Sequence, residues 1–381
     1  ECVRLLNALG IEEKEESTIR NPQSAIFISP SWRHDIAIEE DLVEEIARHV
    51  GYENIKTELP PSYGAGEYQP TEHRESRLRF ALADQGFDEA LSYSFIDTEH
   101  DGVVETVPGL VSEESFVTLK DSVIEGAVRM RQTLLPGLLD AVRLNFNHQR
   151  RDLKLFELGK AFSANKPGEL PNERELFAIA VTGGETIAHR KLSTRDVDFY
   201  DAKGAVESAI EAVGSPQPAF VDDEIKHLRR GQSAAIVFDG RKIGSVGRLN
   251  EEIAADYKFK QPVYVAEIDL QAVLASPQGS RTYAPLPKFP AIVRDVSFAV
   301  TRNVSFEMLR DAASKIKPDI CREIAFVDIY EGKSLDDDKR SLTIRFEYRS
   351  DDRTLAETEI EEVHSRMVAE LEEKFSVKQR T

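Results

Sequence analysis

The sequence predicts an α+β protein made of separate domains. Three observations carry this. Strands and helices are mixed without a regular strand-helix-strand beat, and two stretches rich in Pro and Gly interrupt the periodic segments. From Lys288 onward the elements read βαββαβ, the order of the ferredoxin-like split unit.

In chain order, "ECVRLLNALG" places Val3, Leu5, Leu6 and Leu9 at helical spacing and stops on Gly10. "AIFISPSW" reads as a short strand ended by Pro30, and Leu42, Val43, Ile46, Ala47 and Val50 form an apolar stripe on a helix from Glu39 to Val50. "LPPSYGAGEYQP" is a linker. Thr71 is placed to cap a helix through "EHRESRLRFALADQ" that Gly86 breaks, and "ALSYSFI" (Ala90–Ile96) alternates like a strand. "TLLPGLLDAVRLNFNHQ" reads as a helix, "DLKLFELGKAF" as a strand pair, and "ELFAIAVTG" and "PVYVAEIDL" as buried strands. Asp239-Gly240 is a two-residue hairpin signal. After a second linker, "SPQGSRTYAPLPKFP", come the strand "VRDVSFAV", a helix capped by Ser305, two strands, a helix capped by Thr358 and a possible edge strand "KQR". These signals divide the chain at 1–68, 69–283 and 284–381.

Composition limits the function classes. With 381 residues, 41% of them hydrophobic, the chain can fill several ordinary cores. It contains neither a membrane-length apolar run nor a basic-then-apolar leader, so a cytoplasmic location with no membrane partner is expected. Cys2 and Cys321 lie far apart and form no CxxC or Cys/His spacing, which argues against zinc or a disulfide scaffold and for two packing residues. The chain opens on Glu1 inside a helical pattern, so further sequence upstream is expected. A net charge of −19 argues against broad nucleic-acid binding, but Lys288–Thr381 holds about 17 basic against about 20 acidic residues. If RNA touches the chain, the last domain is the expected place.

Two groups of residues invite a chemical reading. In "PSWRHDIAIEEDLVEEIARHVGY", Asp41, Glu44 and Glu45 share one helix face, with Asp35 on the connection just ahead. Four oxygen ligands without His or Cys select a hard cation, Mg²⁺ or Ca²⁺; equally, acids in a first helical turn serve the helix dipole on a solvated face. In "KRSLTIRFEYRSDDR", Leu342, Ile344, Phe346 and Tyr348 alternate with Thr343, Arg345, Glu347 and Arg349. Both helices of a split unit cover one sheet face, which leaves the polar alternates open to a partner. Arg345 and Arg349 there could neutralise phosphates or stack on unpaired bases, or simply join cross-strand ion pairs with Glu347. No nucleophile constellation, phosphate-cradling loop or cofactor site is visible, and His34, His49 and His364 read as surface groups.

Three of these stretches together resemble the beta chains of bacterial phenylalanyl-tRNA synthetases, over essentially the whole length. "PSWRHDIAIEEDLVEEIARHVGYENI" is similar to the family's small winged-helix-like domain; "MRQTLLPGLLDAVRLNFNHQRRDLKLFELGKAF" to its class II synthetase-like antiparallel core; and "KFPAIVRDVSFAV", "VDIYEGK" and "RSLTIRFEYRSDDRTLAETEI" to its ferredoxin-fold anticodon-binding domain. The resemblance implies a Mg²⁺ site at Asp35, Asp41, Glu44 and Glu45, an ion that helps hold beta to alpha, and a complex of two alpha and two beta chains acting on tRNA-Phe. It places the phenylalanine and ATP sites on the alpha chain. The absence here of a Gly-x-Gly-x-x-Arg stretch accords with that, "SVGRLN" being no substitute. The family's OB-fold and editing domains would lie upstream of Glu1. One departure is "KDSVIEGAVRM", where the family has an Asn-Pro pair. The expected role is therefore assembly and tRNA recognition by a chain inactive alone; the alternative is a free-standing nucleic-acid-binding protein with no synthetase partner.

Overall fold

The structure, a computed structural model, describes residues 1–14, 25–61, 64, 66–110, 116–122, 124–166, 168–186, 194–277, 279, 282–283, 285–332, 335–336 and 338–380. Parts of both linkers, residue 123 of "KDSVIEGAVRM" and residues 187–193 lie outside the described residues. The chain forms two compact units, Glu1–Gln278 and Gly279–Thr381.

The first unit begins with α1 (Cys2–Ala8), the two-residue strands β1 (Glu12–Glu13) and β2 (Phe27–Ile28), and α2 (Glu39–Val50), which packs on α1. Its start is set by the extended Ile38, whose amide bonds to Asp41, and its end by Gly51 (φ 90°); of the expected apolar stripe, Val43 and Val50 are exposed. Cys2 is exposed in the first turn of α1, so only Cys321 is the packing residue expected of both.

Next come α3 (Glu72–Ala83), β3 (Asp88–Glu89), β4 (Phe95–Ile96), β5 (Arg129–Met130), α4 (Leu135–Asn147), β6 (Leu153–Ser163), β7 (Asn172–Thr182), α5 (Phe199–Ala212), β8 (Ala219–Asp222), β9 (Leu228–Phe238), β10 (Arg241–Leu249), α6 (Glu251–Asp256), β11 (Val263–Asp269) and α7 (Leu270–Leu274). Seven of the strands form one sheet in the order β3-β6-β7-β11-β10-β9-β8, antiparallel except for the β3–β6 pair. One face is buried under α3, α5 and α7 through Phe156, Phe177, Ile179 and Ile268; the other lies under α4 and α6 through Leu155, Ala180, Val263 and Val265. Asp239 (φ 49°) and Gly240 (φ 73°) make the β9–β10 hairpin with both central residues left-handed, as a type I′ turn requires.

Three expectations fail here. "DLKLFELGKAF" is one 11-residue strand rather than a pair, because both its faces are buried and nothing breaks it. "ALSYSFI" is strand only at Phe95–Ile96, since Ser92 turns its hydroxyl to the Glu157 carboxylate (2.6 Å). The helix at Thr71 starts on schedule, but the Thr71 hydroxyl donates to Glu75 Oε1 (2.6 Å) and not to the helix backbone.

The second unit is β12 (Ile292–Thr301), α8 (Phe306–Ile316), β13 (Cys321–Tyr330), β14 (Lys339–Tyr348), α9 (Glu357–Phe375) and β15 (Lys378–Gln379), with the antiparallel order β13-β14-β12-β15. Val296, Phe298, Leu342, Ile344 and Phe346 pack on Leu309, Ile360, Met367 and Leu371 of the two helices. Ser305 caps α8 through the Met308 amide (3.2 Å). Thr358 does not cap α9, which begins at Glu357 after an extended Ala356 and has no side-chain cap. His364 is no surface group: it is half-buried and its Nδ1 meets the Tyr348 hydroxyl at 2.8 Å.

Gly159 lies where β6 meets the Arg131 side chain; a Cβ there would stand 2.4 Å from Arg131 Nη2. Gly159→Ala should therefore destabilise the first unit by about 1–3 kcal/mol through overpacking. Urea denaturation followed by circular dichroism checks this, and an unchanged midpoint would mean that the guanidinium moves aside freely.

Candidate functional site

The carboxylates at the head of α2 fall into separate partnerships. Ile38 is the extended N-cap residue, and Asp41 Oδ2 accepts the Ala37 amide (2.7 Å) and the Ile38 amide (3.0 Å). Those two bonds hold the Asp41 carboxyl below its ordinary range. Glu45 is buried, with a side chain 7% exposed, and receives Arg33 Nη2 on Oε1 at 2.6 Å and Arg48 on Oε2. Its pKa is lowered first by Arg48 and then by Arg33. Arg33 also grips Asp35, Nε to Oδ1 at 2.9 Å and Nη2 to Oδ2 at 2.6 Å, which brings the Asp35 carboxyl down to about 2. Glu44 points to solvent. The sequence thus placed the four residues in one neighbourhood, but no three of them share a centre; among the described residues no cluster of three or more potential ligands has metal-site geometry. As they stand the residues do not fit a divalent cation: Arg33 occupies the space between Asp35 and Glu45, and Asp41 is committed to its own helix.

On the open face of the second unit, the cross-strand register lines up Asp295, Arg345 and Ala325, and in the next row Ser297, Thr343 and Asp328. Arg345 makes a two-pronged pair with Asp295, Nε and Nη2 each at 2.8 Å from a carboxylate oxygen. Its partner is Asp295 and not Glu347. Arg349 lies just past β14, half-buried, and donates to Glu347 Oε1 at 3.2 Å. Two residues that the sequence reading did not single out also belong to this face. Lys378 pairs in register with Ala299, and the Arg380 guanidinium lies 5.0 Å from the centre of the Tyr330 ring. The short terminal strand was the only signal for them.

The α4-covered face of the large sheet carries a buried polar row, with Glu157, Ala178, Glu267 and Ser245 in register. Arg131, its side chain 5% exposed, donates to Glu157 Oε1 (2.7 Å), to the Lys160 carbonyl (2.9 Å) and to the Ser92 hydroxyl (2.9 Å). Glu267 Oε1 accepts the Thr133 hydroxyl (2.8 Å) and the Leu134 amide (2.6 Å), pinning the start of α4. Segment 101–110 closes the face with Val104, Val107 and Leu110, anchored by Lys242 on Glu105 (3.0 Å) and by the Glu105 amide on His227 Nδ1 (3.3 Å). Beside Glu267 this leaves a cavity that admits about one water. Burial pushes Glu267 up to about 7 and His227 down to about 4. Single isolated acids and an internal His gave the sequence reading no reason to select them.

Family models match in order along the chain: the tRNA synthetase B5 domain over 1–52, the phenylalanyl tRNA synthetase beta chain CLM domain over 55–270, and the ferredoxin-fold anticodon binding domain over 287–380. The chain belongs to the phenylalanyl-tRNA synthetase beta chain family. Among relatives named phenylalanine–tRNA ligase beta subunit, that of Syntrophus aciditrophicus is 32% identical over 97% of this chain and 46% of its own length. The Bacillus licheniformis relative is 31% identical over 98% and 46%, and the Staphylococcus haemolyticus relative 30% over 94% and 44%. The chain therefore spans a little under half the length of these curated relatives. A solved pyrrolysyl tRNA synthetase from Desulfitobacterium hafniense aligns with 62% of this chain and 76% of its own at TM-score 0.41 and 16% identity, a likeness too distant to assign a fold. Within the family's CLM segment lies the whole polar row, Glu157 to Glu267. No helix among the described residues is long and apolar enough to cross a membrane.

Glu267 links this face to pH. Its folded pKa of about 7 lies above the ordinary 4.5, so the folded state holds the extra proton between those values. Stability from this group is intact below pH 4.5 and is lost as pH rises to 7 and beyond, by on the order of 3 kcal/mol. His227, with a depressed pKa, acts in the opposite sense: stability is lost as pH falls from 6.5 to about 4. Glu267→Gln keeps an acceptor for Thr133 and Leu134 but cannot ionise. Urea unfolding at pH 5 and pH 8 should show the variant gaining on the parent at pH 8 only; an equal difference at both would mean that Glu267 does not titrate.

Proposed function

We propose that this chain is the C-terminal part of the beta chain of a phenylalanine–tRNA ligase and supports ATP-dependent attachment of L-phenylalanine to tRNA-Phe. Its own contributions are assembly with an alpha chain, in a complex of two alpha and two beta chains, and recognition of the tRNA. The aminoacylation site lies on the alpha chain. The observation that carries the division of labour is the closed sheet face. Segment 101–110 and the start of α4 fill it, and the buried carboxylates there bind main-chain and hydroxyl groups of this chain.

The working division is a winged-helix-like domain at 1–68, a class II synthetase-like non-catalytic core at 69–283 and the anticodon-binding domain at 284–381. The family matches and the antiparallel sheet support it. Mg²⁺ at Asp35, Asp41, Glu44 and Glu45 belongs to this proposal only for a state of the chain in which Arg33 has released Asp35 and Glu45. For tRNA the proposed contacts are Arg345 and Arg349 on the open sheet face, joined by Arg380 and Tyr330. A cytoplasmic location goes with that role.

Co-expression with an alpha chain, followed by aminoacylation assays on the mixture and on each chain alone, tests the assembly role; full activity from this chain alone would overturn it. Arg345→Ala and Arg349→Ala should each weaken tRNA-Phe binding by about three- to tenfold and flatten its salt dependence. Both arginines already hold carboxylates, so each must give up an ion pair to reach phosphate. Filter binding across a salt series, with circular dichroism as the folding control, checks this; unchanged affinity in both variants would remove them from the interface.

A further inference from the structure

We propose that Arg33 is the resident cation of the carboxylate group at the head of α2, and that a metal ion enters this group only by displacing the Arg33 guanidinium. This rests on the metal reading given above for Asp35, Asp41, Glu44 and Glu45 and deepens it. The geometry supplies the argument. Arg33 is 15% exposed at its side chain and forms a bridge: the fork of Nε and Nη2 closes on both oxygens of Asp35, while Nη2 also reaches Glu45 Oε1 at 2.6 Å. A planar guanidinium with five donors suits such a bridge, and a hard cation between the same two carboxylates would need the same lone pairs.

The two occupants are therefore alternatives. Glu45, almost fully buried, cannot be left unpaired without a large cost, so some positive charge must stay on it at all times. Arg48 covers its other oxygen from a side chain 55% exposed, and the His49 ring stands 4.0 Å from that same oxygen. Asp41 spends Oδ2 on the Ala37 and Ile38 amides, which holds its carboxylate at the helix start and leaves only Oδ1 for another partner. In this arrangement Arg33 ties the connection from Pro30 to Ile38 to α2 through Asp35 and Glu45. A bound metal then requires Arg33 to swing away, and the freed guanidinium becomes a donor for another acceptor.

The chain carries its own reporter. Trp32 is the single tryptophan, adjacent to Arg33 and 64% exposed, so terbium bound at Asp35 and Glu45 would luminesce when tryptophan is excited. The experiment titrates Tb³⁺ into the parent, Arg33→Gln and Arg33→Gln/Asp35→Asn, with circular dichroism melts in magnesium and in chelator. The expected result is weak or absent sensitised emission from the parent, with a melting temperature indifferent to magnesium. Arg33→Gln should bind about tenfold tighter or better, with the gain lost in the double variant. Should Arg33→Gln fail to fold, Arg33→Lys keeps the charge but loses the fork and should show a smaller gain. Equal Tb³⁺ affinity in parent and Arg33→Gln, or no gain in either substitution, overturns the proposal. Failure to associate with an alpha chain would overturn the assembly role and leave this result untouched.

Discussion

The large sheet depends on one buried ion pair, Arg131 with Glu157. Neither side chain reaches solvent appreciably, and a buried charge without its partner costs several kcal/mol, so the surroundings must conform to the pair. Glycine at 159 follows from that requirement, since the guanidinium lies where a Cβ would be. So does the path of the chain at Ser92, whose hydroxyl takes the second Glu157 oxygen, and glycine at 137, where a Cβ would stand 2.2 Å from Ser92 Oγ. The pair also fixes Arg131 itself, and three residues on, Leu134 meets Glu267 at the head of α4. A polar row in the middle of an apolar sheet face thus sets the position of the helix that covers it.

The same economy recurs wherever the chain concentrates acid. Its charge of −19 is formally large, yet several of its structural carboxylates are held by a nearby arginine, Asp35 and Glu45 by Arg33, Asp269 by Arg174 and Asp295 by Arg345, while Asp41 and Glu267 are held by main-chain amides. For RNA recognition this has a consequence. The open face of the second unit presents Asp295, Asp328 and Glu347 beside Arg345 and Lys378, so it is not a phosphate-neutralising surface of the usual basic kind. On the tRNA reading proposed above, contacts there would come from exchange of ion-pair partners and from stacking on groups such as the Arg380–Tyr330 pair.

Local rules made much of the fold legible in the sequence. The apolar spacing from Leu42 to Val50 located α2, Asp239-Gly240 set a hairpin, and the βαββαβ order of the second unit followed from its period changes. The failures share a cause in long-range contacts. The strand Leu153–Ser163 is buried on both sides, so its hydrophobicity does not alternate and no break can be distinguished from a continuation. Ala90–Ile96 alternates well enough to be a strand, but a carboxylate 65 residues away takes Ser92. His227 and Glu267 matter only because other segments close over them, and nothing adjacent in sequence announces that.

The carboxylates of α2 show why spacing could not decide between ligand and structural roles. Asp41, Glu44 and Glu45 do share a helix face in register, as i, i+3 and i+4 demand. Periodicity constrains where a side chain starts, however, and not which atom its oxygens meet. Asp41 turns back to the helix start because the extended Ile38 presents unpaired amides there, and Glu45 turns toward the connection because Arg33 is held across it by Asp35. Arg33 was in plain view two residues before Asp35, but its reach to Glu45 depends on the turn between them, which periodicity does not describe. The deciding group for an acidic cluster on a helix is therefore the cation that the flanking turn brings back to it. Where that cation is an arginine of the same chain, the carboxylates it reaches are paired without a metal, as Asp35 and Glu45 are by Arg33, and any metal must compete for them.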